Sequence, residues 1–168
     1  MLQLLVIAAI LGIASPAQAE SPRTHLSPAG GLHAVVSSVG PTGSESRIEI
    51  RASNRRLLRY LDLRSSDGEH GFFVSRAAWT SDGLFFVFSA TSSGGHQPWH
   101  LPTYVYSRRH NRLYSLDAHV GPVTSAFELI SNGRVAVTRL GAGPDPHDER
   151  VVFQLSRLGR RFNAPRPN

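Results

Sequence analysis

The sequence predicts an all-β protein built from three four-stranded antiparallel meanders. Three observations predict it. Short runs rich in Val, Ile, Phe and Tyr recur at even spacing, bounded by Gly, Pro, Asn and Ser. Helical periodicity is almost absent after Glu20. Segments around 26–37, 79–89 and 127–138 align on their turns, with a period of about 50 residues.

Taken in order, the chain opens with an uncharged apolar run over 4–14, followed by Ser15-Pro16 and then Ala17-Gln18-Ala19, a small-x-small cleavage signal. Residues 1–19 therefore read as a secretory signal peptide cleaved after Ala19, which implies a periplasmic or secreted protein. The run is shorter than the ~20 residues of a membrane-spanning helix. No Lys or Arg precedes it, which departs from the usual leader pattern and keeps an uncleaved anchor as the competing reading. No later segment is apolar enough to span a bilayer.

Residues 20–168 read as one domain of three repeats, about 24–63, 74–118 and 124–162. Each repeat has four strands, named a to d. The a–b turns end at Gly31, Gly83 and Gly133, where glycine suits a backbone with positive φ. A second hairpin follows in each. Arg47-Ile48-Glu49-Ile50-Arg51 turns at Asn54 into Leu57. Thr103-Tyr104-Val105-Tyr106 turns at His110-Asn111 into Leu113. Val151-Val152-Phe153 turns at Gly159 into Arg161-Phe162. The competing reading is three unrelated hairpin pairs of a sandwich.

Over 78–89 the middle repeat, Ala78-Trp79-Thr80-Ser81-Asp82-Gly83 followed by a β run, resembles the TolB/WD40-like β-propeller repeat family, with Ser81 where that family usually has Pro. The copies around 26–37 and 127–138 match weakly. The resemblance implies blade-like sheets, with Trp79 packed between blades, and it implies no activity. Closed propellers have about 4–8 blades. Three blades therefore imply a partial propeller, a propeller-like sandwich, or a homo-oligomer that completes a ring.

Cysteine is absent, which excludes disulfides, thiolate metal sites, cysteine nucleophiles and a lipidated N-terminal Cys. The net charge is +6 and all 18 basic residues are Arg. That balance suits an anionic partner and also fits a compositional bias.

Strand alternation sorts the unusual residues onto two sides. The c–d turns carry Arg55, Arg56, Arg108, Arg109, Arg160 and Arg161, a rim for an anionic polymer. The plain alternative is that exposed turns need soluble residues. No aromatics interleave in these turns, so no specific nucleic-acid signal is present. The other side collects the b–c loops 40–45, 91–102 and 141–149 and the d–a connections 65–71 and 118–124. It holds five of the eight histidines. His96, Trp99, His100, Asp145, His147 and Glu149 are the candidate ligand-binding residues there, because long loops on a β scaffold are where sites form.

His96 and His100, with His147 or Asp145, supply enough N and O ligands for Zn²⁺. However, no HExxH or EF-hand pattern supports a metal, and Pro98 breaks any helix through the loop. No nucleophile elbow, phosphate-cradling glycine motif or cofactor motif is present, so no catalytic residue and no cofactor is assigned. The expected function is a non-catalytic binding module for an unknown protein or polysaccharide partner, with the loop side as its working face. The alternatives are a metal-dependent hydrolase using the same loops and an electrostatic binder working through the Arg rim.

Overall fold

The computed structural model describes residues 21–95, 98–142 and 146–159, and within them the protein is all-β, organised as three antiparallel sheets. The first sheet is β1 (Arg23–Leu26), β2 (Leu32–Val39), β3 (Glu45–Ala52) and β4 (Leu57–Asp62). The second is β5 (Phe72–Trp79), β6 (Phe85–Ser92), β7 (Thr103–Ser107) and β8 (Arg112–Ser115). The third is β9 (Glu128–Ile130), β10 (Arg134–Leu140) and β11 (Asp148–Gln154). In each sheet the strands pair in chain order, as the meander reading expects.

Side-chain alternation explains how the sheets layer. Phe86, Phe88 and Ala90 of β6 share a buried cluster with Ala34, Val36, Ile48 and Ile50 of the first sheet. Their neighbours Phe85 and Val87 share another with Val135, Val137 and Phe153 of the third. The centre of the second sheet is thus buried on both faces, which is why β6 reads as an unbroken apolar run over Phe85–Phe88 rather than an alternating one. Trp79 closes the first of these cores: its ring centroid lies 5.2 Å from that of Phe86 and 6.2 Å from that of Tyr106.

The a–b turns are related, but not through the three glycines that align in the sequence. The carbonyls of Gly31, Leu84 and Gly133 accept from the amides of Ser53, Arg108 and Leu155 respectively, so these three positions correspond. The left-handed residue just before them is Gly30 (φ 68°), Gly83 (φ 65°) and Asn132 (φ 64°). Gly83 therefore matches Gly30 rather than Gly31. Gly83 has a second reason to be glycine, because a Cβ there would lie 2.6 Å from the Ala29 amide nitrogen and the Ser27 hydroxyl.

Two connections differ from expectation. The stretch 118–124 contains part of a short helix, α1 (Asp117–Val120), and the strand expected to reach Asp117 ends at Ser115. Asp117 turns the chain because its carboxylate accepts from the amides of Thr103 and Val123. In the third repeat a 3₁₀ turn (Leu155–Arg157) follows β11. The fourth strand expected at Arg161-Phe162 lies outside the described residues, as do the leader 1–19, His96, Asp145 and Arg160.

Candidate functional site

The meanders place their a–b and c–d turns at one edge and the remaining connections at the other. The edges stand about 26 Å apart, the length of an eight-residue strand at about 3.3 Å per residue. At the turn edge the Ser27 hydroxyl donates to the Gly83 carbonyl at 3.2 Å, and Arg108 Nη1 donates to the Gly30 carbonyl at 2.8 Å. At the loop edge Ser93 N–H donates to Gly71, Leu101 N–H to Val123, and the Thr124 hydroxyl to Asp148. The expected sorting of connections therefore holds among the described residues.

Arginines occur at both edges, and what distinguishes the edges is pairing. Asp62 at the loop edge holds Arg47 and Arg64, each at 2.7 Å, and Glu149 holds Arg139 at 2.8 Å. The Arg64 hydrogen bonds, assisted by Arg47 against the cost of burial, keep the Asp62 carboxyl well below the ordinary aspartate value. Glu49 pairs with Arg51 and Glu128 with Arg150 on the sheet surfaces. Among the described residues, no carboxylate reaches ion-pairing distance of Arg55, Arg56, Arg59, Arg108, Arg109, Arg112 or Arg157.

The local backbone sets up that array. Ser53, Asn54 and Arg55 form a three-residue c–d turn in which the Asn54 side chain accepts from the Arg56 amide at 3.1 Å. Arg55 closes the turn in the left-handed region (φ 66°), the role that Asn111 (φ 45°) plays in the second sheet. Asparagine tolerates that conformation and arginine does so poorly. Beside Arg109 lies a small hollow of about 120 Å³, lined by Leu84, Phe85, Ser107, Arg109, His110 and Ser156.

The loop edge is built differently, because its polar groups engage one another. Glu45, fully buried, accepts from the Ser65 hydroxyl at 2.5 Å and from the Gly71 amide at 2.7 Å. Burial opposes its ionisation, but the Ser65 hydroxyl and the Gly71 and Ser65 amides outweigh burial and hold its carboxyl below the ordinary glutamate value. An open hollow of about 410 Å³ lies above it, bordered by Pro41, Asp62, Arg64, Ser65 and Asp67. Asp67 bonds the His70 ring and raises its pKa.

Of the expected loop-side residues, Trp99 and His100 come together, with ring centroids 5.5 Å apart and planes 29° from parallel. His100 Nε2 bonds Asp117 Oδ1 at 2.7 Å, which fixes the ring. Trp99 is 47% exposed. His147 and Glu149 lie at the start of β11, where the His147 carbonyl accepts from Gly141 and Glu149 holds Arg139. Among the described residues no three His, Asp or Glu side chains converge as metal ligands. His100 has an orienting carboxylate, but no hydroxyl bonds its ring among the described residues.

Sequence reasoning passes over Glu45 and Asp117, the two carboxylates that organise the loop edge. Asp117 carries a readable signal, an acidic residue opening a short helix. Glu45 carries none, because a carboxylate in an alternating strand reads as solvent-facing. No protein-family model matches the chain, and no curated protein matches it. Among the described residues no helix is long and apolar enough to cross a membrane.

Proposed function

We propose that this protein is an exported, non-catalytic binding module, propeller-like in its layering of meanders, that engages an anionic partner through its turn edge. One observation carries the reading: among the described residues Arg55, Arg56, Arg59, Arg108, Arg109, Arg112 and Arg157 at the turn edge have no carboxylate partner, although Arg51 there pairs with Glu49. At the loop edge, by contrast, Asp62 holds both Arg47 and Arg64 and Glu149 holds Arg139. Guanidinium groups without carboxylate partners, gathered along one edge, present donors that match sulfate, phosphate and carboxylate groups. Arg55 supports the same reading, since a strained left-handed residue at an exposed turn points to a use for its side chain.

Heparin-affinity chromatography tests this with two variants of equal charge. Arg55→Ala/Arg56→Ala/Arg109→Ala removes turn-edge charge, and Arg47→Ala/Arg64→Ala/Arg150→Ala removes paired charge. The first elutes at markedly lower salt than the wild type and the second close to it, because only localised unpaired charge releases counterions on binding. Equal shifts would reduce the effect to net charge and defeat the reading.

The exposed indole of Trp99 favours a second reading, in which a sugar ring or partner side chain stacks at the loop edge. Binding of that kind is insensitive to salt and quenches or shifts Trp99 fluorescence. Salt-insensitive binding abolished by Trp99→Ala would move the working face to the loops.

A further inference from the structure

We propose that the anionic partner met by the turn edge is a lipid bilayer surface, onto which the protein docks with leucines among the headgroups and arginines on the phosphates; this rests on the anionic reading above. Exposed apolar side chains occurring singly are ordinary on a protein surface. Their placement is what matters here. Of the exposed large apolar side chains among the described residues, Leu26 (75%), Leu57 (42%) and Leu84 (45%) lie together at the turn edge, while Tyr60 and Val152 stand on the sheet surfaces and Phe73 and Trp99 at the loop edge.

Leu57 and Leu84 each sit beside an arginine, and Leu26 lies in the same row as Leu57. Leu26, His33, Arg51 and Leu57 form one cross-strand row at the turn end of the first sheet. Leu57 directly follows Arg55 and Arg56. Leu84 follows Gly83, whose carbonyl receives the Ser27 hydroxyl, so the turn after Leu26 touches the turn before Leu84. Leu84 also lines the hollow that holds Arg109 and His110.

The two residue types together choose between anionic partners. A soluble polyanion rewards the arginines and gives the leucines nothing to bury against. An anionic membrane rewards both, through apolar insertion at the headgroup–acyl boundary and through charge. Each arginine near such a surface adds about fivefold to the affinity. Neither contribution alone gives stable attachment, and the turn edge carries both.

The test is co-sedimentation of the full chain with phosphatidylcholine vesicles, with and without phosphatidylglycerol, alongside heparin elution. The wild type binds only the vesicles containing phosphatidylglycerol. The variant Leu26→Ser/Leu57→Ser/Leu84→Ser loses at least about tenfold in vesicle affinity and elutes from heparin at the wild-type salt, which also reports that it has folded. In a Trp99→Phe background, Leu84→Trp gives a blue shift on adding the anionic vesicles.

Leucine variants that bind vesicles like the wild type overturn the bilayer proposal, and so does heparin binding without any vesicle binding; both leave the polyanion reading in place. Dimers of the wild type that the leucine changes dissolve, with no vesicle binding, overturn it in favour of a second copy on this edge. Binding to neither heparin nor vesicles removes the underlying reading as well.

Discussion

The indole N–H of Trp79 donates to the backbone carbonyl of His25 at 2.9 Å, a bond that crosses from the second sheet to the first. Trp79 thereby joins the layers twice, through this bond and through its ring contacts with Phe86 and Tyr106. Trp79→Phe should keep part of the packing and lose the bond, costing about 1–2 kcal/mol. Trp79→Ala should cost about 3–5 kcal/mol. Urea titration checks both, and a folded Trp79→Ala protein with wild-type stability would contradict the role given to this ring.

Gly71 is held by a close approach rather than by an unusual φ. A Cβ there would lie 2.4 Å from Glu45 Oε1 and 2.4 Å from the Leu63 carbonyl oxygen. Gly71→Ala must therefore displace the Glu45 carboxylate from its amide donors and also strain the Leu63 backbone, which cannot move cheaply. A loss of more than about 2 kcal/mol is expected. Thermal unfolding measures it, and a neutral substitution would show that the Glu45 contact does not organise the loop edge.

Arg55 should trade stability for binding. Arg55→Asn places at φ 66° the residue type that the second sheet uses at Asn111. It should stabilise the fold by about 0.5 kcal/mol while lowering the salt at which the protein leaves heparin. A destabilised variant would show that Arg55 bears no backbone strain.

The pH response of stability should contain a histidine term. His25 Nε2 is buried without a hydrogen-bond partner among the described residues, and the ring lies 5.5 Å from Phe86. Burial first, and the nearby charge of Arg23 second, hold its pKa below the ordinary value of 6.5. With the folded value depressed, the unfolded chain takes up the proton first. Stability is therefore full above about pH 6.5 and falls as pH drops through the folded value. His70, raised by Asp67, acts in the opposite sense. The difference between wild type and His25→Leu isolates the effect, and parallel pH profiles would contradict it.

Much of the fold is legible because strand period and turn chemistry both point to it. The alternation in Arg47-Ile48-Glu49-Ile50-Arg51 and the left-handed preference of Gly83 are local signals that tertiary contacts do not override. The one-residue offset between Gly31 and Gly83 escapes the sequence because Gly30 and Gly31 are adjacent and both left-handed, so composition cannot tell which one the ladder uses. The arginine corners are readable, but their significance is not. Whether a guanidinium is neutralised depends on contacts such as Arg64 with Asp62 or Arg139 with Glu149, and for the second pair these bring together residues ten apart on neighbouring strands. The layering that brings Ser27 against Gly83 is likewise set by side-chain packing between sheets, which no local pattern announces.

The division of labour between the two edges is tested most directly by following the backbone amide resonances of the ¹⁵N-labelled protein during titration with a heparin oligosaccharide. The account predicts shifts at Gly30, Arg55, Gly83 and Asn111, with Gly71, His100 and Gly141 unmoved. Shifts centred on the second set, with the first unmoved, would contradict it.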